Sequence, residues 1–159
     1  MADTSKPGTE CEKKVNINTK DSEATDVFEA VTGQLFEELK RVYQETGKVT
    51  DEVLSALSNV LQAPLLPALD LVDNRSVSLL VCPAGRQLYQ VVGSSGTPYT
   101  CFKGNHYCSC PAYRFSILKK EEHTMCKHVL AVKLSDAMDV TKKLEVTDKE
   151  LTDMLINLE

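Results

Sequence analysis

Three cysteines and one histidine within twenty-one residues constrain this chain more than any other feature. Cys108 and Cys110 form a Cys-x-Cys pair, fifteen residues follow, and Cys126 and His128 form a Cys-x-His pair. Three thiols and one imidazole are a complete tetrahedral ligand set for zinc. Because four protein ligands leave no position for a water molecule, the set predicts a structural zinc site rather than a catalytic one.

The spacing within each pair predicts how the four side chains converge. Residues i and i+2 of an extended strand face the same side, so Cys108 and Cys110 can point at one ion. The same spacing on a helix turns two side chains about 200° apart. Cys126 must therefore lie just before a helix, and His128 must lie in its first turn.

The other cysteines and histidines are weaker ligand candidates. His106 and His123 are alternative imidazoles, but neither pairs with a cysteine that also opens an apolar helix. Cys82 and Cys101 fall in predicted strands and are expected to be small core residues. Cys11 lies in a polar segment without partners.

The composition is that of one principal domain with extensions. The chain has 159 residues, of which 42% are hydrophobic, and it contains no run of eighteen apolar residues. Its first fourteen residues contain no apolar stretch, so no secretory signal is expected there. In an intracellular protein the six cysteines are better interpreted as metal ligands and buried thiols than as three disulfides.

Charge is distributed unevenly along the chain. Residues 101–134 hold six basic residues and two glutamates, a net charge of +4, whereas the whole chain carries −5. A basic region on an acidic chain favours a phosphate-bearing partner, although solvated lysines around a metal loop are an equally good interpretation. The candidate nucleic-acid contacts are Arg114, Lys119, Lys120 and Lys127, with Tyr113 or Phe115 available to stack on bases.

The pattern of apolar residues predicts an α+β fold with four regions. Residues 1–24 are expected to be a disordered tail. Residues 25–73 form a helical region with an N-terminal helical hairpin, and residues 74–138 form an antiparallel β-meander followed by the zinc finger. Residues 139–159 are expected to be a linker and a C-terminal helix.

Capping signals and apolar spacing set the expected helix limits. The first helix is predicted at about 26–46, capped by Asp26, and the second from Asp51 to Gln62. A helix over residues 113–120 would turn Phe115 inward. The last helix is predicted to start at Thr147, which forms a capping box with Glu150.

Enzyme motifs that use similar residues do not occur in the sequence. It lacks the His-x-Glu and Pro-Cys-x-x-Cys elements of zinc deaminases, the His-Glu-x-x-His helix and a phosphate-binding loop. Cys126 and His128 could also act as a thiol nucleophile and its base, but a complete ligand set disfavours that alternative. A zinc-dependent hydrolase would require one of the four ligands to be displaced.

The spacing of the cluster resembles the SWIM-type zinc finger, in which Cys-x-Cys is followed by a variable gap and Cys-x-His. The resemblance implies a ββα finger with its core at 99–134, zinc bound by Cys108, Cys110, Cys126 and His128, and close packing at Ala131. The wider sequence is similar to the small SWIM-domain proteins of the Shu complex. The similar segments are ALDLVD (68–73), LYQVVGSS (88–95), YCSCPAY (107–113) and CKHVLAVKLS (126–135).

The resemblance also implies a role in homologous recombination. Such proteins are nuclear and non-catalytic. They pair with a RecA-like recombinase paralogue, as an expected obligate heterodimer, and promote recombinase filament assembly or stability in DNA double-strand break repair and meiosis. Contact with single-stranded DNA is expected through the complex, and no membrane is involved. The alternative is a zinc finger module that binds single-stranded DNA directly.

Overall fold

The computed structural model describes residues 19–102, 104–117 and 125–158. The fold class is α+β, as predicted. In chain order the elements are α1 (Thr19–Thr46), α2 (Asp51–Leu61), α3 (Leu65–Asp73), β1 (Val77–Val81), β2 (Gln87–Val92), β3 (Pro98–Phe102), β4 (Tyr107–Cys108), a π-helical turn (Tyr113–Ile117), α4 (Lys127–Ala137), β5 (Lys142–Glu145) and α5 (Asp148–Ile156).

The first helix starts earlier than the sequence pattern indicates. Because α1 begins at Thr19, Asp26 lies inside the helix and does not cap it, and the expected tail at 1–24 is helical from residue 19. Residues 1–18 lie outside the described residues. The added residues 19–25 (TKDSEAT) are mostly polar in sequence, so they continue the helix without adding to its apolar stripe. Gly47, with φ of +69°, ends the helix as expected.

The five strands form one sheet in the order β4-β3-β2-β1-β5. Strands β1 to β4 pair antiparallel as the predicted meander. Strand β5 pairs parallel with β1, so the sheet is mixed, and part of the expected linker is a strand. All four residues of β5 are exposed, and an edge strand of this kind shows no buried alternation in its sequence.

Each face of the sheet carries its own apolar cluster. The helical face, which includes Val77, Val91, Cys101 and Cys108, packs against the core formed by α1 to α4. The opposite face, here called the α5 face, carries Leu80 and Leu88 and is covered by Leu151 of α5. Alternation along the strands therefore separates a large core from a small one.

Helix α4 is the centre of the larger core. It packs against α1, α3 and four strands of the sheet. Seven of its residues are buried: His128, Val129, Leu130, Ala131, Val132, Leu134 and Ser135. A helix buried on most sides depends on the elements around it, so the way α4 is anchored at its start affects the whole helical layer.

Helix α5 closes the smaller core as its sequence indicates. Thr147 accepts a hydrogen bond from the backbone N–H of Glu150, and the Glu150 carboxylate accepts one from the Thr147 backbone N–H, which confirms the predicted capping box. Within the described part of the chain, no helix is both long enough and apolar enough to cross a bilayer.

Candidate metal centre

The four candidate ligands lie where the sheet edge meets the start of α4. Cys108 ends β4, and Cys110 follows two residues later. Cys126 is the N-cap of α4 with extended backbone (φ −80°, ψ 165°), and His128 is the second residue of the helix. The predicted arrangement, with Cys126 before the helix and His128 in its first turn, is confirmed.

The four donor atoms converge on one point. Three sulfur atoms and one ring nitrogen lie within 4.8 Å of one another, and all four residues are buried. Zinc bound tetrahedrally at about 2.3 Å from sulfur places its sulfur ligands about 3.7 Å apart. A contraction of about an ångström or less therefore converts the cluster into a zinc coordination sphere, and the cluster is positioned to bind a zinc ion.

The imidazole of His128 supports the presence of a metal independently of spacing. The residue is only 3% exposed, and neither ring nitrogen has a hydrogen-bond partner among the described residues. A buried polar group without a partner costs free energy, so such atoms are uncommon in folded proteins. Tyr99 holds the ring in place, with the two ring centroids 4.5 Å apart. A zinc ion would satisfy one of the two nitrogens.

Hydrogen bonds among the thiols of the cluster shift the pKa values of Cys108, Cys110 and Cys126 in different directions. Hydrogen bonding from the thiol of Cys108, and then from that of Cys126, lowers the pKa of Cys110 far below its usual value. Contact with the thiol of Cys101 raises the pKa of Cys108, and contact with Cys108 raises that of Cys126. The sulfur of Cys110 also accepts a hydrogen bond from the Tyr113 backbone N–H at 3.3 Å.

Zinc supplies what this cluster lacks, a positive charge that holds all three sulfurs as thiolates. The protein supplies the geometry. Strand β4 presents Cys108, and the N-terminus of α4 presents Cys126 and His128. Four protein ligands would close the coordination shell of the zinc ion, as in structural zinc sites.

The described part of the chain includes three of the other candidate site residues, Arg114, Lys127 and Ala131. Arg114 is exposed on the π-helical turn, and Lys127 is half-buried at the start of α4. Lys119 and Lys120 lie outside the described residues. Ala131 is completely buried in α4, and its role in close packing stays a prediction. The prediction that Phe115 turns inward is wrong, since its side chain is 54% exposed.

Of the two alternative imidazoles, His106 lies outside the group of converging donor atoms. His106 Nε2 lies 2.8 Å from Lys133 Nζ, and burial followed by the charge of Lys133 lowers the pKa of His106. His123 lies outside the described residues. His106 has a φ of +54°, so it occupies a tight turn before β4 and links that turn to α4.

Two residues that support the cluster were not assigned to it from the sequence. Tyr99 contacts the His128 ring, and Cys101 lies directly opposite Cys108 on the neighbouring strand. Cys101 was expected only as a core residue, and it is indeed buried at 1% exposure. Its closeness to Cys108 follows from the register of the β3–β4 hairpin, and residue types alone do not determine that register.

Comparison with known proteins agrees with this geometry. The family model of the SWIM zinc finger matches residues 99–136. The chain is 45% identical over 130 residues to human zinc finger SWIM domain-containing protein 7, covering 82% of this chain and 93% of the human protein. The mouse protein of the same name is 44% identical over 126 residues, covering 79% and 83%.

More distant similarity extends over the same length. The zinc finger SWIM domain-containing protein 7 homolog of Dictyostelium discoideum is 29% identical over 131 residues, covering 80% of this chain and 84% of that protein. No solved structure matches the chain significantly.

A buried Cys₃His cluster between a sheet edge and a helix start, within a matching domain, defines a SWIM zinc finger. The similarity extends well beyond the finger, over 130 residues of the chain. The chain belongs to the family of zinc finger SWIM domain-containing protein 7.

Proposed function

We propose that the chain is a non-catalytic, zinc-dependent subunit of a Shu-type complex in the nucleus. In this role it pairs with a RecA-like recombinase paralogue, and the pair promotes recombinase filament assembly or stability. The processes served are homologous recombination, DNA double-strand break repair and meiosis. Membership in the SWIM zinc finger family supports the proposal, as does a ligand set that leaves zinc no open position.

The observation that carries the proposal is the position of the cluster at the start of α4. Because α4 packs against α1 and α3, zinc bound at Cys126 and His128 fixes the helical layer against the sheet. The outer surface of that layer exposes large apolar side chains, with Val27 62%, Val31 39% and Leu66 67% exposed. Exposed apolar residues on a positioned layer are suited to contact with a protein partner.

Loss of the histidine ligand tests this proposal. We expect His128→Asn to lose zinc and to fail to co-purify with a co-expressed recombinase paralogue, since the helical layer is no longer fixed to the sheet. The matched control is His106→Asn, because asparagine tolerates the positive φ at that position and His106 is not a ligand. The measurements are the yield of the complex and its zinc content.

Two results would contradict the proposal. In the first, His128→Asn lacks zinc yet pairs at the wild-type level, which would make pairing independent of the finger. In the second, the wild-type chain binds zinc but pairs with none of the recombinase paralogues of its organism. The second result would leave the zinc centre intact and remove only the proposed partner.

Direct binding of single-stranded DNA is the second candidate function. The observation that favours it is the exposed turn after Cys110, where Arg114 lies beside Phe115. A cation beside an exposed aromatic ring is a common element of surfaces that bind single strands.

Binding of single-stranded DNA by the isolated chain tests direct binding, and its salt dependence shows whether phosphate contacts carry it. If the chain binds single-stranded DNA by itself, its affinity falls steeply between about 50 and 200 mM salt, and Arg114→Gln weakens it several-fold. Arg75→Gln, at an exposed arginine between α3 and β1, is the control. Fluorescence anisotropy with a labelled oligonucleotide measures both effects. Absence of binding at micromolar protein would exclude this activity for the isolated chain.

A further inference from the structure

Cys101 faces the zinc cluster from the neighbouring strand. In the β3–β4 pair Cys101 is the direct partner of Cys108. The Ser109 backbone N–H donates to the Thr100 carbonyl at 3.0 Å, and the Thr100 backbone N–H donates to Ser109 Oγ at 3.0 Å, so the backbone polar groups of Thr100 face Ser109. Pairs alternate along an antiparallel ladder, so Cys101 and Cys108 form a non-hydrogen-bonded pair, the type in which side chains approach most closely.

Both thiols lie in the same dry environment. Directly opposed residues point to the same face of a sheet, and here that is the helical face. Cys101 is 1% exposed and Cys108 is completely buried.

A zinc ion bound by three thiolates requires hydrogen-bond donors around it, and Cys101 can provide one. Three thiolates and one Zn²⁺ carry a net charge of −1, and a buried charge requires hydrogen-bond donors. Cys110 has the Tyr113 backbone N–H at 3.3 Å, and Cys126 lies at the N-terminus of α4, where backbone N–H groups and the helix dipole favour an anion. For Cys108, the thiol of Cys101, its direct partner on β3, is the candidate donor.

We propose that Cys101 is a positioning residue of the zinc centre, whose S–H group donates a hydrogen bond to the Cys108 thiolate and slows release of the metal. Groups that hydrogen-bond to metal ligands orient them, and their removal weakens metal binding measurably. Cys101 is not itself a ligand, because the four ligands already complete a tetrahedron. The proposal concerns the zinc centre alone and holds whether or not the chain pairs with a recombinase paralogue.

The test compares two substitutions at Cys101 in the full zinc-loaded chain. Cys101→Val removes the donor at similar volume, whereas Cys101→Ser retains a donor. Transfer of zinc to a chromogenic chelator should be at least about tenfold faster in the valine variant and within about threefold of wild type in the serine variant. Cys82→Val, at an equally buried thiol on the α5 face, should release zinc at the wild-type rate.

Three outcomes would overturn the proposal. Release of zinc from Cys101→Val at the wild-type rate would show that the thiol does nothing for the metal. Equal acceleration in the valine and serine variants would indicate a packing effect only. Equal acceleration in Cys101→Val and Cys82→Val would indicate a general loss of stability.

A vibrational measurement keeps the proposal testable if the valine variant does not fold. Cys101→Ser removes the S–H group of this residue. An S–H stretching band that is present in the Raman spectrum of the zinc-loaded wild-type protein and missing from that of Cys101→Ser therefore belongs to Cys101. Donation to a thiolate weakens the S–H bond, so this band should lie at lower wavenumber than that of free cysteine in water. A band at the position of free cysteine, or no band because Cys101 is itself metal-bound, would overturn the proposal.

Discussion

Removal of zinc is expected to abolish the cooperative unfolding transition of the larger core. Structural zinc contributes about 10–16 kcal/mol of apparent binding free energy in small finger peptides, whereas a whole domain is stable by about 5–15 kcal/mol. The metal therefore matches or exceeds the net stability of the fold. Once it is lost, Cys126 and His128 no longer anchor α4 to β4, and α4 is the helix against which α1 and α3 pack.

Calorimetry and near-ultraviolet circular dichroism measure this result. We expect a strong chelator to lower the midpoint of thermal unfolding by more than about 10 °C or to eliminate the transition. The tyrosine signal should collapse as well, because Tyr99 lies against His128 and the Tyr113 backbone contacts Cys110. Zinc added back should restore both signals, and magnesium, which prefers oxygen ligands, should not.

The contrary outcome is equally specific. If chain stripped of zinc, as measured by metal analysis, unfolds within about 2 °C of the zinc-loaded chain, the cluster contributes little to stability. The finger would then be a local feature on a core that is stable without it. The proposed dependence of partner binding on zinc would lose its physical basis.

The metal centre could be predicted from the sequence because its geometry is local. A Cys-x-Cys pair on extended chain and a Cys-x-His pair at a helix start each have one arrangement in which both members reach the same ion. The structure has that arrangement at Cys108 and Cys110 and at Cys126 and His128. The capping box at Thr147 and Glu150 was predictable for the same reason, since all its atoms lie within four residues.

Two of the three features that were not predicted depend on pairing with a segment elsewhere in the chain. Strand β5 forms because β1 offers a free edge, and nothing within Lys142–Glu145 indicates that pairing. The early start of α1 at Thr19 lacks an apolar signal because residues 19–25 (TKDSEAT) are mostly polar. The sequence predicted Cys101 only as a core residue, whereas the register of the β3–β4 hairpin places it opposite Cys108. For β5 and for Cys101, the missing information is a contact between segments that the local pattern does not encode.

The smaller core offers a second large effect, independent of zinc. Leu151 of α5 is 1% exposed and packs on the α5 face with Leu80 and Leu88. Truncation of a buried leucine to alanine costs about 2–5 kcal/mol, so Leu151→Ala should lower the free energy of unfolding by that amount in urea titrations. Ile156→Ala, at a side chain on the same helix that is 70% exposed, should change it by less than about 0.5 kcal/mol.

The zinc content of Leu151→Ala shows whether the smaller core affects the zinc cluster of the larger core. The ligands lie with the helical face and Leu151 on the α5 face, with the sheet between them, so folded Leu151→Ala should bind one zinc ion and release it at the wild-type rate. Loss of zinc from folded Leu151→Ala would show that α5 transmits strain through the sheet to the cluster. Retention of zinc by Leu151→Ala would mean that α5 can be altered without disturbing α4. An α5 variant that retained zinc but bound the partner more weakly would then place the partner contact near α5.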